Sequence, residues 1–299
     1  MTNREWIGLH KEKLAVFSGI LFHNQVFSEG KQDVSIQYDF SCPEFRELRE
    51  KYGLDTIAGS GSDYVRAKRL LHFLAPRLSH SSWYDNHVPC NALALLDYSL
   101  DKKECGINCL NKSKILAECC MAVGIYARRV RIMPYSPYDL DNHVVTEIYD
   151  RHRKKWIMLD PTTDGYFIDG DKTPLSLLEL RDRFANDKFA TFVSSASRPR
   201  DLGKYRDKYI YHNAYICKNL FYFSIEQENR FGAGEHFLIL CPEHYAIREK
   251  EIANARYRID HMPEEYRNAV ELWKKKLEIL EKTPEPEIIS ARVMTAAPV

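Results

Sequence analysis

Residues 143–160 read HVVTEIYDRHRKKWIMLD, and the way they pair decides the fold. Two runs rich in β-branched and aromatic residues, HVVTEIY and KWIMLD, flank a polar turn near DRHR. This pattern predicts two strands of an antiparallel hairpin. A hairpin centred on that turn sets 143 opposite 160, 145 opposite 158 and 147 opposite 156. His143 then begins one strand and Asp160 ends the other on the same face, with Cβ atoms ~4.5–5.5 Å apart. An imidazole N–H placed there donates to the carboxylate. The carboxylate fixes ring orientation and tautomer and leaves the other ring nitrogen for a third group. A His–Asp pair at a hairpin mouth also serves purely structural roles, and a one-residue slip would part the two side chains.

The third group is sought just upstream, in residues 106–128, GINCLNKSKILAECCMAVGIYAR. Asn108 is a favoured N-cap, which makes Cys109 the first residue of a helix. Leu110, Ile115, Leu116, Cys119, Cys120 and Val123 form its apolar face, and Gly124 is the expected stop. A cysteine at that position meets unpaired backbone N–H groups and the positive end of the helix dipole. Such surroundings favour a thiolate and offer donors to an oxyanion. If the helix start packs at the open end of the hairpin, Cys109, His143 and Asp160 become nucleophile, base and orienter for covalent acyl transfer. Cys105 is a rival only four residues away, but it precedes Gly106 and no helix start is expected there.

The chain has eight cysteines. Cysteines 105, 109, 119 and 120 do not suit one zinc ion, because ten helical residues part 109 from 119 by roughly 15 Å. Cys119 and Cys120 are expected in the core.

With these residues in view, the sequence resembles the transglutaminase-like superfamily. In that family a Cys starts a helix that ends in Gly-Ile-x-Ala-Arg, here Gly124-Ile125-Tyr126-Ala127-Arg128. A strand beginning with His and a strand ending in Leu-Asp-Pro-Thr follow, here from His143 and at Leu159-Asp160-Pro161-Thr162. The resemblance covers about residues 90–165. It implies a papain-like fold, with Cys109 as nucleophile, His143 as general base and acid, and Asp160 as its orienter. It also implies a thioester acyl-enzyme; the chain is too short for the multi-domain calcium-dependent members and shows no EF-hand-type loop, so no metal or other cofactor is expected. The pattern departs at Asn111, where the family often has Asp, and at Val144-Val145, where Ala-Trp is usual.

One oxyanion donor is expected from the Cys109 backbone N–H. The Trp83 indole is the candidate for the second, against the alternative of an ordinary half-buried aromatic. The loop PYSPYDLDN, residues 134–142, runs into His143, so Tyr135, Tyr138 and Asn142 are candidate substrate contacts. A rigid structural loop is the alternative. His80 and His87, flanking SSWYDN, are candidates to line a cleft, and His212, His236 and His244 have no metal-like spacing.

The remainder of the chain reads as α+β with an antiparallel sheet. GILFHNQVF and DVSIQYDF suggest extended segments within the first forty residues. CPEFRELREKYG, DYVRAKRLLHFLAPRL, TPLSLLELRDRFAND and EEYRNAVELWKKKLEILEK suggest helices, and NLFYFSIEQ with EHFLILCP a late strand pair. The expected organisation is one domain over residues 1–285 with N- and C-terminal extensions, a catalytic core at about 60–190, and a loose Pro-rich tail over 286–299.

Of the 299 residues, 44% are hydrophobic and 28% charged, and the formal net charge is +1. That balance lacks the basic excess of a nucleic-acid binder. No apolar run approaches the ~20 residues of a membrane span, and the start lacks a signal-peptide core. A cytoplasmic location is therefore expected. The expected substrates are peptide, amide or carrier-bound acyl groups, with an amine or water as acceptor. The competing reading is a catalytically silent member of the same fold, kept as a binding or scaffold module.

Overall fold

The computed structural model describes residues 3–194, 202–234, 236–263, 267–283 and 286–298. The chain opens with α1 (Asn3–Phe22), β1 (Gln37–Tyr38), α2 (Pro43–Tyr52), α3 (Leu54–Ala58), α4 (Asp63–Leu74) and α5 (Ala92–Ser99). The middle carries α6 (Cys109–Ala122), β2 (Ala127–Met133), β3 (His143–Asp150), β4 (Lys155–Leu159), β5 (Gly165–Ile168), α7 (Leu177–Ala185) and β6 (Thr191–Ser194). The last third holds α8 (Leu202–Asn219), β7 (Tyr222–Glu226), β8 (Glu228–Asn229), β9 (Phe237–Leu240), α9 (Ile247–His261), α10 (Arg267–Lys282) and α11 (Ala291–Thr295).

The central sheet has the order β4-β3-β2-β7-β9, and every neighbouring pair in it is antiparallel. Its strands alternate between two cores, as the period of two requires. On one face Ala127, Ile148, Ile157 and Leu159 pack against Ile115, Leu116, Cys119 and Cys120 of α6. On the other, Val130, Ile132, Val145 and Met158 pack against Leu177 and Leu180 of α7 and Ile216, Cys217 and Leu220 of α8. Each fully buried aliphatic contributes about 1.5–3 kcal/mol. With helices on both faces β3 is buried along its whole length. The fold class is α+β with an antiparallel central sheet, as helix signals before and after a central run of strands indicate; the two-residue pair β1–β8 is parallel.

Local signals account for most boundaries. Pro43 opens α2, and Gly53 ends it in the left-handed conformation with φ 62°. The Ser62 hydroxyl caps α4 by accepting from the Val65 N–H. Ser176 and Glu179 form a reciprocal capping box at α7. Gly124, at φ 76°, closes α6: its N–H reaches the Met121 carbonyl and the Ile125 N–H reaches that of Cys120. Those two bonds make a Schellman motif, which aims the chain directly into β2.

Three expectations need correction. GILF lies in α1 rather than in a strand, and only Gln37–Tyr38 of the second predicted segment is extended. A short apolar run carries the same signal in either state, and here Leu14, Phe17, Ile20 and Leu21 pack into the core. The hairpin register also differs: Glu147 pairs with Met158 and Ile148 with Ile157, so the two strands are slipped by two residues from the predicted alignment. A slip of two keeps every side chain on its face.

The third correction concerns the segment expected to be loose. Its described residues, 286–298, are docked: Ile288 bridges Ile239 in parallel, and the Ile289 N–H donates to the Ile239 carbonyl at 2.8 Å. Ile289, Val293 and Met294 are buried. The Trp156 indole donates to the Ala296 carbonyl, and Arg128 donates to that of Met294. Proline content reads as looseness, but IISARVM supplies enough apolar surface to seat the segment. Residues 264–266 of the predicted C-terminal helix lie outside the described residues.

Candidate active site

The Asn108 side chain accepts from the Asn111 N–H at 3.2 Å, so Cys109 is the first residue of α6. Its own N–H and that of Leu110 precede any intrahelical acceptor. Further polar ties hold the first turns of α6 in place. Asn111 is buried, donates to Asn86 Oδ1 at 2.7 Å and accepts from the Cys90 thiol. The buried Lys112 ammonium donates to the Leu78 carbonyl at 2.7 Å. The Ser113 hydroxyl donates to the Val144 carbonyl, and Thr146 returns a bond to the Ser113 carbonyl. The last pair locks α6 to β3 one residue from His143.

His143 is 2% exposed, at the first position of β3. Asp160 is fully buried just beyond β4, where a two-way backbone bridge to Gly165 closes a tight turn. In the observed register 145, not 143, would face 160, so His143 and Asp160 are diagonal neighbours on one face. A diagonal pair ~7–8 Å apart at the backbone is still within reach of long side chains. His143 Nε2–H donates to Asp160 Oδ2 at 3.0 Å. The carboxylate also accepts from the Thr162 N–H at 2.9 Å and the Thr163 hydroxyl at 2.8 Å. Cys109 lines the same cavity as the ring and is among the groups that raise its pKa; with Nε2 engaged, the nitrogen left to face a sulfur is Nδ1. Cys109, which is half-buried, thus opens into the same cavity as the hydrogen-bonded His143–Asp160 pair.

Burial alone would lower the His143 pKa. The Asp160 charge, the hydrogen bond to it and the adjacent Cys109 outweigh burial and raise it well above the ordinary histidine range. Burial likewise pushes the Asp160 carboxyl up, but His143 prevails and holds it well below the usual carboxylate range. The ring is therefore an imidazolium seated between a carboxylate and a sulfur. Burial lowers the Lys112 ammonium to about 8, against the pull of Asp160 and Cys109.

Two residues of α8 complete the setting, and the sequence reading did not assign them to it. The Tyr215 ring packs edge-on to His143 at 5.4 Å. Its hydroxyl donates to the Asn142 carbonyl at 3.1 Å, bracing the loop that delivers His143. His212 packs against Phe192 and Phe167 with Nε2 3.9 Å from Asp160 Oδ2. That nitrogen is buried without a hydrogen-bond partner. Burial lowers its pKa to about 4, so the ring is neutral at pH 7. The signal available for α8 was the spacing of Tyr211 and Tyr215, four residues apart as on one helix face.

A cavity of about 890 Å³ opens over Cys109 and His143. Of the expected substrate contacts only Asn142 lines it. Tyr135 packs on Phe221 and Tyr245, and Tyr138 on Tyr257, both outside the lining. Trp83 is 57% exposed and also outside it. The wall near Cys109 is made instead by His80, Ser82 and Asn86, with His80 Nε2 3.0 Å from the Ser82 hydroxyl. His87 turns away, pairing with Asp85 and packing on Tyr84 and Tyr98. Cys105 is not part of the lining, and Cys119 and Cys120 are buried in the core. Among the described residues no three His, Cys, Asp or Glu side chains gather as a metal site requires, and no helix is long and apolar enough to cross a membrane. No protein-family model matches the chain, and neither a curated protein nor a solved structure is significantly similar to it.

Proposed function

We propose that the protein is a transglutaminase-like, papain-like cysteine acyltransferase or hydrolase acting on an amide or thioester. One observation carries the reading: a thiol at the first position of a helix lines the same cavity as an imidazole whose Nε2 is held 3.0 Å from a buried carboxylate. This is the nucleophile, base and orienter order of covalent acyl transfer.

In this chemistry Cys109 Sγ attacks the acyl carbon while its proton rests on His143 Nδ1. The C–S bond forms and the carbonyl electron pair moves onto oxygen. The Cys109 backbone N–H, at the open start of α6, donates to that oxyanion, and the His80–Ser82 wall is the source of a second donor. Collapse of the tetrahedral intermediate expels the amine or thiol, which takes the proton from His143 and leaves a thioester on Cys109. Water or an amine then attacks the thioester and gives its proton to His143. Release of sulfur as thiolate, with the imidazolium beside it, restores the starting state. Asp160 fixes the Nε2–H tautomer throughout, so Nδ1 always faces the sulfur.

The test is iodoacetamide labelling near neutral pH, read by peptide mass spectrometry across all eight thiols. Cys109 should react much faster than the rest. Intact-mass measurement with candidate acyl donors should then show an adduct that Cys109→Ala lacks. Equal labelling of the four half-buried thiols, with no adduct from any amide or thioester donor, would favour the silent scaffold.

A further inference from the structure

The cavity over Cys109 continues along the sheet to a second, cationic end. β2 and β7 pair so that Arg131 lies opposite Ser224 and Met133 opposite Tyr222, and all four line the cavity. From above, α9 contributes Arg258, and α10 contributes Trp273 and Lys276. The Arg258 guanidinium lies 4.6 Å and the Lys276 ammonium 4.9 Å from the Trp273 ring centre. The acid at this end is Glu251, 4.0 Å from Lys276. Asp141, the other acid of the lining, is engaged by the Tyr215 hydroxyl and by Lys218.

Arg131 is the informative residue, because its neighbours on β2 set the contrast. Arg128 donates through Nε and Nη2 to Glu147, and Arg129 pairs with Glu226. Arg131 has no hydrogen bond and no ion pair among the described residues. Its Nε is buried without a partner, and the guanidinium rests 4.1 Å from the Phe237 ring centre. A guanidinium has five N–H donors in a planar fork that fits carboxylate or phosphate oxygens. Glu226 and Glu251 offset part of the Arg131 charge, but neither reaches it as an ion pair, so the fork stays open to the oxygens of a ligand.

We propose that this end is an anion subsite in which Arg131, with Arg258 and Lys276, binds a carboxylate or phosphate on the substrate whose acyl carbon meets Cys109. The assignment of that acyl carbon rests on the acyl-transfer reading; the subsite itself does not. β2 and β7 lie one and two strand spacings from β3, about 5 and 10 Å. Both ends line the one cavity of about 890 Å³, so a single substrate can span from Cys109 to the cationic end. A compact acyl group bearing a terminal anion fits the cavity, and a neutral substrate of the same length leaves Arg131 unpaired.

The test is calorimetric titration of full-length Cys109→Ala, which cannot react, with glutarate, inorganic pyrophosphate and the neutral glutaramide. Saturable binding of an anion but not of glutaramide is expected. Glutarate alone would identify a carboxylate and pyrophosphate alone a phosphate. Adding Arg131→Met should weaken that binding at least tenfold. Lys276→Met, on a more exposed side chain, should weaken it at least threefold and serves where the arginine variant does not fold. Failure of both anions to bind, or equal binding by folded Arg131→Met or Lys276→Met, would overturn the subsite. Equal alkylation of the thiols would count against acyl transfer and leave the subsite standing.

Discussion

Asp160→Asn isolates the element on which the site depends. The carboxylate accepts three hydrogen bonds, from His143, Thr163 and the Thr162 amide. Asparagine offers one oxygen, so its amide group faces at least one former donor. With the NH2 turned to His143, the imidazole must accept at Nε2 and carry its proton on Nδ1, the nitrogen that has to accept from sulfur. The expected loss in alkylation or turnover is about 10³–10⁴-fold, the cost of a wrong tautomer in a triad.

Stability should fall by about 2–4 kcal/mol near pH 6, the scale of a broken buried pair with partial replacement of its bonds. The pH dependence is more diagnostic. His143 is raised in the folded state, so its contribution is complete below the unfolded value of ~6.5 and is lost as pH rises toward its folded value of about 10. Asp160 is depressed, so its contribution is complete above ~3.9 and is lost as pH falls. The pair therefore stabilises most between about pH 4 and 6.5. Above that window wild-type stability should decline by up to about 1.4 kcal/mol per pH unit from this group. Urea unfolding of wild type and variant at pH 5.5, 7.5 and 9 measures the difference. Parallel pH profiles, or alkylation of Cys109 at the wild-type rate in Asp160→Asn, would refute the reasoning.

Two further outcomes follow from the packing. Glu118 is 1% exposed and accepts from the Ala92 and Gly232 amides and from Lys114. Glu118→Gln turns an NH2 toward one of these buried donors and should cost about 2–4 kcal/mol in denaturant titration; a change under ~0.5 kcal/mol would mean that the network is solvated. Ile289 is fully buried against the sheet, so Ile289→Ala should cost about 2–4 kcal/mol and speed proteolysis after residue 283; unchanged unfolding would mean that the C-terminal segment is not seated.

The legible parts of this fold were those in which a local rule acts alone. The N-cap at Asn108, the glycine stop at 124 and the alternating strands around DRHR each rest on short-range chemistry, and their neighbours do not override them. The hairpin register was not legible to the residue, because the hydrophobic pattern repeats every two positions and cannot separate 143 opposite 160 from 145 opposite 160. The pairing of His143 with Asp160 survives because either choice keeps both on one face. What lay beyond reach were contacts made by distant segments. Trp83 and the tyrosines of 134–142 precede Cys109 or His143 in sequence, yet the cavity takes its walls from α8 beside His143 and from α9 and α10 at the far end. No spacing along the chain announces that Tyr215 will brace Asn142 or that Arg258 will lie over Trp273.

The polar interior of α6 shows how that distant placement is held. Asn111, Lys112, Ser113, Lys114 and Glu118 are all buried on a helix whose opposite side is also buried. An all-apolar helix would dissolve into the same core with less desolvation. It would also be free to slide or rotate, since apolar contacts have little direction. Each polar group here has a partner on a different element. Asn111 and Lys112 reach Asn86 and Leu78 ahead of α5, Ser113 reaches β3, Lys114 reaches Ala233 and Glu226 beyond and within β7, and Glu118 reaches the start of α5. These directions fix both rotation and translation of the helix. A shift of one ångström at its first residue would move the Cys109 sulfur relative to His143, and under the proposed acyl transfer a misplacement of that size costs about 10²-fold. The buried charges thus trade some stability for the position of one sulfur atom.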